Sequence, residues 1–250
     1  PMILLVGQIA RDTTDREAFQ EVDYRAMFGP IAKWATQIDD PARVPEYMAR
    51  AFRVATSGRP GPVVISLPED MLTEVVSVAD ARPYTATHAG LSPDNLDMLK
   101  TEIAQAERPL LLLGGSGWSD ESAAAITRFA EANKIPVTTS FRRQDIVNNL
   151  SPVYAGDFGT STAPSLYAHQ RDADLLVVIG ARLGEMTTKT YTTMQSPNPD
   201  TRLVHLYPDA DEIGRVYSPD LGIAAAPVSV AAALDGVEQV ERAQCRPRIR

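Results

Sequence analysis

The run Leu110-Leu111-Leu112-Leu113-Gly114-Gly115-Ser116-Gly117-Trp118 is an apolar strand pattern that breaks into a glycine-rich turn ahead of a helix. Glycines in such a turn let a phosphate approach the backbone, and the helix N-terminus offers free N–H groups of partial positive charge. The spacing falls short of the full G-x-G-x-x-G fingerprint, so glycines that serve only a tight strand-to-helix turn are the alternative. Gly180-Ala181-Arg182-Leu183 follows the apolar run Leu175 to Ile179. An arginine at the carboxyl end of a strand can grip a phosphate with a planar fork of donors. Thr139-Ser140-Phe141 closes its own short strand in the same way, and Asp209, after Leu203 to Leu206, either caps a helix or binds a ribose hydroxyl. Three strand ends on one edge predict a nucleotide-like ligand there, with a vestigial, empty site as the alternative. No Ser/His/Asp set, metal-spaced His/Cys cluster or G-x-S-x-G elbow is present. His88 reads as a solvated linker residue, His169 and His205 as structural, Phe19 as core and Gln20 as a surface amide.

The elements that must hold these residues follow from periodicity. Ile3 to Val6 reads as a strand, and Pro41 to Thr56 as a helix with Val44, Met48, Ala51, Phe52 and Ala55 on one stripe. The run from Ser57 to Asp70 is a Gly/Pro-punctuated turn that launches a buried strand, Val63 to Leu67, and stops it at Pro68. From Ser77 to Gly90 periodicity disappears, which is linker chemistry. Ser92-Pro93-Asp94 starts a helix that Arg108-Pro109 stops. Four apolar runs (Leu110 to Leu113, Val137 to Thr139, Leu175 to Ile179, Leu203 to Leu206) then alternate with helical patterns at Glu121 to Asn133, around Ser165 to His169, and at Asp209 to Val216. That alternation predicts an α/β fold with a doubly wound parallel sheet. Beyond Gly236 the chain turns polar and basic, a tail or linker without a core pattern.

A net charge of −8 argues against nucleic acid or an anionic membrane as a main partner. The single cysteine, Cys245, excludes an internal disulfide and fits a reducing compartment. No signal peptide is visible, and no apolar run approaches the roughly 20 residues of a membrane span. A cytoplasmic location is expected. The opening Pro1-Met2-Ile3-Leu4-Leu5-Val6-Gly7 is a buried-type strand with nothing before it, and reads as a cut within a sheet.

Over residues 1 to about 237 the chain resembles thiamine-diphosphate enzymes of the acetohydroxyacid (acetolactate) synthase type. The resemblance rests on an ordered series: Gly7-Gln8…Ala18-Phe19-Gln20-Glu21, Pro30-Ile31-Ala32-Lys33, Ser57 to Pro68, Arg108-Pro109…Gly114-Gly115, Pro136-Val137-Thr138-Thr139, Gly156-Asp157-Phe158-Gly159, Gly180-Ala181-Arg182 and Asp209 to Gly214. It implies that residues 1–77 are the later half of a pyrimidine-binding domain and 78–91 a linker. Residues 92–237 would be a six-stranded parallel-sheet central domain that binds FAD, ADP or nothing, and 238–250 a tail or link to a diphosphate-binding domain. Family nucleotide contacts fall on Arg59, Gly114, Gly115, Thr139, Ser140, Phe141, Gly180, Ala181, Arg182 and Asp209. Phe19, Gln20, Lys33 and Glu69 fall in the substrate channel. The family's activating glutamate would lie upstream of Pro1 and its magnesium- and diphosphate-holding Gly-Asp-Gly…Asn motif downstream of Arg250. No catalytic residue and no metal ligand are therefore expected in this chain, which alone should be inactive. Thiamine diphosphate, Mg2+, a small-molecule substrate and a homodimer or homotetramer are implied for the intact enzyme. Ala10, Asp12 and Thr13 replace the family's usual proline, arginine and methionine, and Glu69 its usual lysine, a charge reversal facing a 2-oxo acid. Tyr207 stands where an aspartate often ends the strand, and Phe141-Arg142-Arg143-Gln144 is more basic than usual. These departures point from acetolactate synthesis toward a related carboligase, decarboxylase or lyase. The rival readings are a module holding FAD or ADP without catalysis, and a non-catalytic relic.

Overall fold

The computed structural model describes residues 1–237 and 239–241. The chain forms two compact units, Pro1–Thr87 and His88 onward. Cys245 and the basic tail from Arg242 lie outside the described residues.

In the first unit, β1 (Met2–Gln8), β2 (Trp34–Gln37) and β3 (Pro62–Pro68) form a parallel sheet in the order β1-β3-β2. β3 is central; Val63, Val64 and Ile65 are buried, as their apolar run demands, and Ser66 is buried with them, its hydroxyl donating to the Thr36 carbonyl at 3.3 Å. Helix α1 (Tyr24–Phe28) is capped by Asp23, whose carboxylate accepts from the Ala26 N–H at 3.0 Å. A 3-10 turn, Pro41–Arg43, leads into α2 (Val44–Thr56). Ala51 and Ala55 of α2 are buried, and Val44 and Met48 pack on the core of Ile38, Val63, Ile65 and Met71. Phe52 departs from the expected stripe: it is half exposed and stacks on Tyr84, whose hydroxyl bonds Thr56. Tyr84 thereby pins the otherwise irregular 78–87 stretch. In the 57–61 turn only Gly58 uses a left-handed backbone, φ 53°. Gly61 is bare for a different reason, because a Cβ there would lie 3.0 Å from the Lys33 stem.

The second unit contains α3 (Pro93–Ala104), β4 (Pro109–Leu113), α4 (Asp120–Asn133), β5 (Val137–Thr139) and β6 (Tyr154–Asp157). It continues with α5 (Pro164–Asp172), β7 (Leu175–Ile179), β8 (Arg202–Tyr207), β9 (Leu221–Ala224) and α6 (Pro227–Asp235). Its six strands are all parallel, in the order β6-β5-β4-β7-β8-β9, so strand order reverses between β4 and β7. Strand alternation divides the core. Leu111, Leu113, Val177 and Ile179 face α3, α4 and α6, while Leu110, Leu112, Leu176 and Val178 face α5 and the 181–217 segment. Ser92 caps α3 with Pro93 just inside, and Ser119 and Ser122 cap α4 reciprocally.

Several elements depart from the sequence reading. β2, β6, β9 and α6 were not apparent in the pattern, because β2 and β6 are short edge strands and β9 carries a glycine and two exposed residues. The expected helix Asp209 to Val216 is only a 3-10 turn, Ala210–Glu212. Ile213 turns extended and Gly214 takes φ 80°, which stops it. The stretch after Gly236 is not without core contacts, since Val237 and Val240 pack on the larger core and the Val240 N–H donates to Asn133 Oδ1 at 2.7 Å.

Candidate functional site

The reversal between β4 and β7 is where an open parallel sheet offers a crevice at its carboxyl edge. The fold brings Gly114, Gly115, Thr139, Ser140, Phe141, Gly180, Ala181 and Arg182 together there. Pairing continues past the strand ends: the Gly114 N–H donates to the Ile179 carbonyl at 3.1 Å, and the Ser140 N–H to the Leu113 carbonyl at 2.8 Å. The glycines are needed because these ends touch. A Cβ on Gly114 would lie 2.8 Å from Ser140 Cβ and 2.9 Å from Ala181 Cβ. Gly115, at φ 69°, would drive a Cβ to 1.9 Å from the Gly180 carbonyl oxygen. A Cβ on Gly180, at φ 71°, would lie 2.6 Å from Pro227 Cγ and 2.7 Å from the Gly114 oxygen. Of the two readings of the glycine run, the close turn is fully accounted for by the chain's own atoms. Trp118 closes it, donating Nε1–H to the Gly114 carbonyl at 2.8 Å.

Arg182 is not a free phosphate grip. Its Nε lies 3.0 Å from Glu212 Oε2, without the alignment of a hydrogen bond, and Arg215 Nη1 lies 3.8 Å from the same oxygen. Glu212 is buried and Arg182 is two-fifths exposed, so its remaining donors face outward. Thr139 Oγ1 is fully buried and has no partner among the described residues. Phe141 packs against Gly159, and the Arg142 guanidinium sits 5.0 Å from the Phe141 ring centroid. The Asp209 carboxylate accepts from the Asp211 N–H at 3.2 Å, so it caps the Ala210–Glu212 turn. His205 is buried on β8 with Nε2 3.0 Å from the Ala181 carbonyl oxygen. Burial holds its pKa below the ordinary histidine value despite that bond and the nearby Glu212 charge. His169, expected to be structural, is instead exposed on α5, and His88 is solvated.

The remaining expected site residues belong to the first unit. Phe19 is 90% exposed, not core. The cause is Glu21, whose carboxylate accepts from the Asp15 N–H at 2.6 Å and the Ala18 N–H at 3.0 Å and is held below the usual carboxylate range by those bonds. The loop wraps around it through left-handed residues at Asp15, Glu17 and Gln20, which throws Phe19 and Gln20 outward. Lys33 Nζ donates to the Ser57 carbonyl at 2.6 Å, and the Glu69 side chain is exposed while its N–H donates to the Gln8 carbonyl at 3.0 Å. Arg59 is exposed on the turn before β3. A polar cavity of about 350 Å³ at the carboxyl ends of these strands is lined by Gln8, Glu21, Tyr24, Gln37, Asp39 and Ser66. It is not legible in the sequence, since only pairing of β1, β3 and β2 brings Gln8, Ser66 and Gln37 together. Nor does the sequence by itself mark a second cavity, of about 380 Å³, in the second unit. Thr160, Tyr167, Glu185, Lys189 and Thr190 line it, and the one signal was the threonine-rich run from Thr187 to Thr193.

The model of a family described as thiamine pyrophosphate enzyme, central domain, matches residues 96–234. The probable acetolactate synthase large subunit of Methanocaldococcus jannaschii is 30% identical over 234 residues, covering 89% of this chain and 38% of that protein. Acetolactate synthase isozyme 1 large subunit of Escherichia coli K12 is 30% identical over 228 residues, 90% of this chain and 40% of its own length. Glyoxylate carboligase of Escherichia coli O157:H7 is 30% identical over 226 residues, 89% of this chain and 38% of its own length. The chain thus spans about two fifths of the length of these curated relatives. No helix among the described residues is long and apolar enough to cross a membrane.

Proposed function

We infer that this chain, which belongs to the thiamine pyrophosphate enzyme family, is part of a thiamine-diphosphate- and magnesium-dependent enzyme that makes or breaks a C–C bond beside a carbonyl. Its substrate is a 2-oxo acid or a related carbonyl compound, and its reaction is a carboligation, decarboxylation or lyase cleavage. The observation that carries this reading is the alignment of acetolactate synthases and a glyoxylate carboligase over 89–90% of the chain, across both units. Residues 1–77 supply the later part of the pyrimidine-binding domain, and residues 92–237 the central domain. Thiamine diphosphate, when bound, would supply the electron sink that lets a C–C bond beside a carbonyl be made or broken. The part of this chain is to position: Glu21 holds the loop that presents Phe19 and Gln20 to the channel, and Glu69, beside Gln8 at the carboxyl edge of the sheet, sets the charge of its wall, whereas Lys33 lies at the opposite, amino edge ahead of β2. The intact enzyme is a cytoplasmic homodimer or homotetramer.

The Gly-Asp-Gly…Asn motif is absent from these 250 residues, so the chain alone is inactive. A positioned acid/base group alone contributes about 10²–10⁴ in rate. Purified chain incubated with thiamine diphosphate, Mg2+ and pyruvate or glyoxylate is expected to release no CO₂, whereas the full-length gene product does. Turnover by the chain alone, or none by the full-length protein on any 2-oxo acid, overturns the reading.

A second reading, FAD or ADP held by the central domain as a structural or regulatory ligand, is favoured by one observation. Thr139 Oγ1 and Arg182 Nε are buried without hydrogen-bond partners among the described residues, at the edge where strand order reverses. Arg182 would hold the diphosphate with its outward donors, beside Ser140 and Phe141. Flavin or adenine absorbance released on heat denaturation of the purified protein supports this reading, and a nucleotide-free supernatant refutes it.

A further inference from the structure

We propose that the cleft walled by the turn Lys189–Tyr191 binds a small monocarboxylate through the Lys189 ammonium and the hydroxyls of Thr160 and Thr190. The cleft opens beyond the carboxyl ends of β6 and β7, the edge on which parallel sheets take ligands. At about 380 Å³ it lies at the small end of ligand pockets and suits a compact molecule. None of its lining residues is among those that the family resemblance gives to a nucleotide or to the substrate channel.

Three features single it out. The exposed Lys189 ammonium is held 5.1 Å from the centroid of the Tyr167 ring and lies within 4.0 Å of no carboxylate among the described residues, so it is oriented by the ring and open to an anion from solvent. Thr162 is used up, donating to the Asp157 and Gly159 carbonyls and accepting from the Gly159 N–H, but the hydroxyls of Thr160 and Thr190 make no hydrogen bond among the described residues. Lys189, Thr190 and Tyr191 are three successive non-glycine residues in the left-handed region, at φ 48°, 56° and 59°. Each is individually unfavourable, and such runs persist only where the surroundings impose them. Here the imposing group is the buried Thr188. Its hydroxyl donates to the Gly184 carbonyl at 2.9 Å and accepts from the Tyr191 N–H at 3.1 Å, while the Thr190 N–H donates to the Glu185 carbonyl at 2.8 Å. The strained turn is thus pinned so that Lys189 and Thr190 line the cleft.

The wall also selects. It carries one ammonium and one carboxylate, Glu185, so a single negative charge is matched at Lys189 while a second meets repulsion. That favours a monocarboxylate over a dianionic phosphate. Identifying the carboxylate with that of a 2-oxo acid rests on the function proposed above. Binding itself needs neither thiamine diphosphate nor turnover, so its failure and the failure of that reading are separate results.

The test is an NMR titration of the 250-residue chain with sodium pyruvate and, separately, inorganic phosphate at constant ionic strength. Pyruvate is expected to shift the Thr160 and Thr190 amide signals saturably. Lys189→Gln should weaken the response at least tenfold, Lys189→Arg should retain it within about threefold, and Thr160→Val should weaken it without touching the turn. No saturable shift, an unchanged response in Lys189→Gln, or tighter binding of phosphate than of pyruvate overturns the proposal.

Discussion

Replacing Gly115 by alanine tests whether the glycine-rich strand end is a structural seam. The new Cβ would meet the Gly180 carbonyl oxygen at 1.9 Å, a backbone atom on the adjacent strand end that no rotamer change can move. The residue would also have to keep φ 69°, which costs an L-residue about 1–2 kcal/mol. Forcing β4 and β7 apart at their ends adds the usual cost of overpacking, about 1–3 kcal/mol. The sum is about 2–5 kcal/mol, or roughly 4–20 °C in the midpoint of a domain this size. Trp118 is the assay, because its indole N–H bonds the neighbouring Gly114 carbonyl and it is the second unit's one tryptophan. Fluorescence-detected melting in a Trp34→Phe background isolates its signal. Gly114→Ala, with no φ penalty but Ser140 and Ala181 within 3 Å, should cost about 1–3 kcal/mol. Gly184→Ala is the control: its Cβ meets nothing within 4 Å, and it should stay within about 0.5 kcal/mol of wild type. A Gly115→Ala protein as stable as that control would refute the reasoning.

Two further outcomes follow from buried polar groups. His205 is held neutral by burial, so the unfolded chain takes up its proton first; stability is flat above the ordinary histidine pKa of about 6.5 and falls as pH drops below it. Melting midpoints between pH 8 and pH 5 check the slope, and a His205 ring signal titrating at or above the ordinary value would contradict it. Asn133, 3% exposed, donates to the Phe129 carbonyl at 2.8 Å and accepts from the Val240 N–H at 2.7 Å. Asn133→Ala leaves that N–H buried without this acceptor and should cost about 1–3 kcal/mol while speeding amide exchange at Val240, and unchanged exchange there would count against the anchor.

How far the sequence could be read depended on whether a residue's role was set locally or by a distant partner. The runs Leu110 to Leu113 and Leu175 to Ile179 announce buried parallel strands because every residue in them is covered on both faces. Trp34–Gln37, Tyr154–Asp157 and Leu221–Ala224 carry no such mark, since they are sheet-edge strands of mixed burial. Phe19 misled because hydrophobicity is a property of the side chain, whereas its exposure is decided by the carboxylate of Glu21 gathering the loop's N–H groups. Arg182 misled in the same way, because Glu212 reaches it only once β8 has paired with β7. The glycines hold the deeper ambiguity. A bare backbone at Gly114, Gly115 and Gly180 marks where something must come close, and sequence cannot say whether that is a phosphate or the next strand. In this fold the approaching atoms are Ser140, Ala181, Pro227 and the Gly180 and Gly114 carbonyls. A strand-end seam and a phosphate cradle therefore share one sequence signature, and what separates them at this edge is the Thr139 hydroxyl, without a partner among the described residues, and the outward donors of Arg182, the groups that packing leaves over.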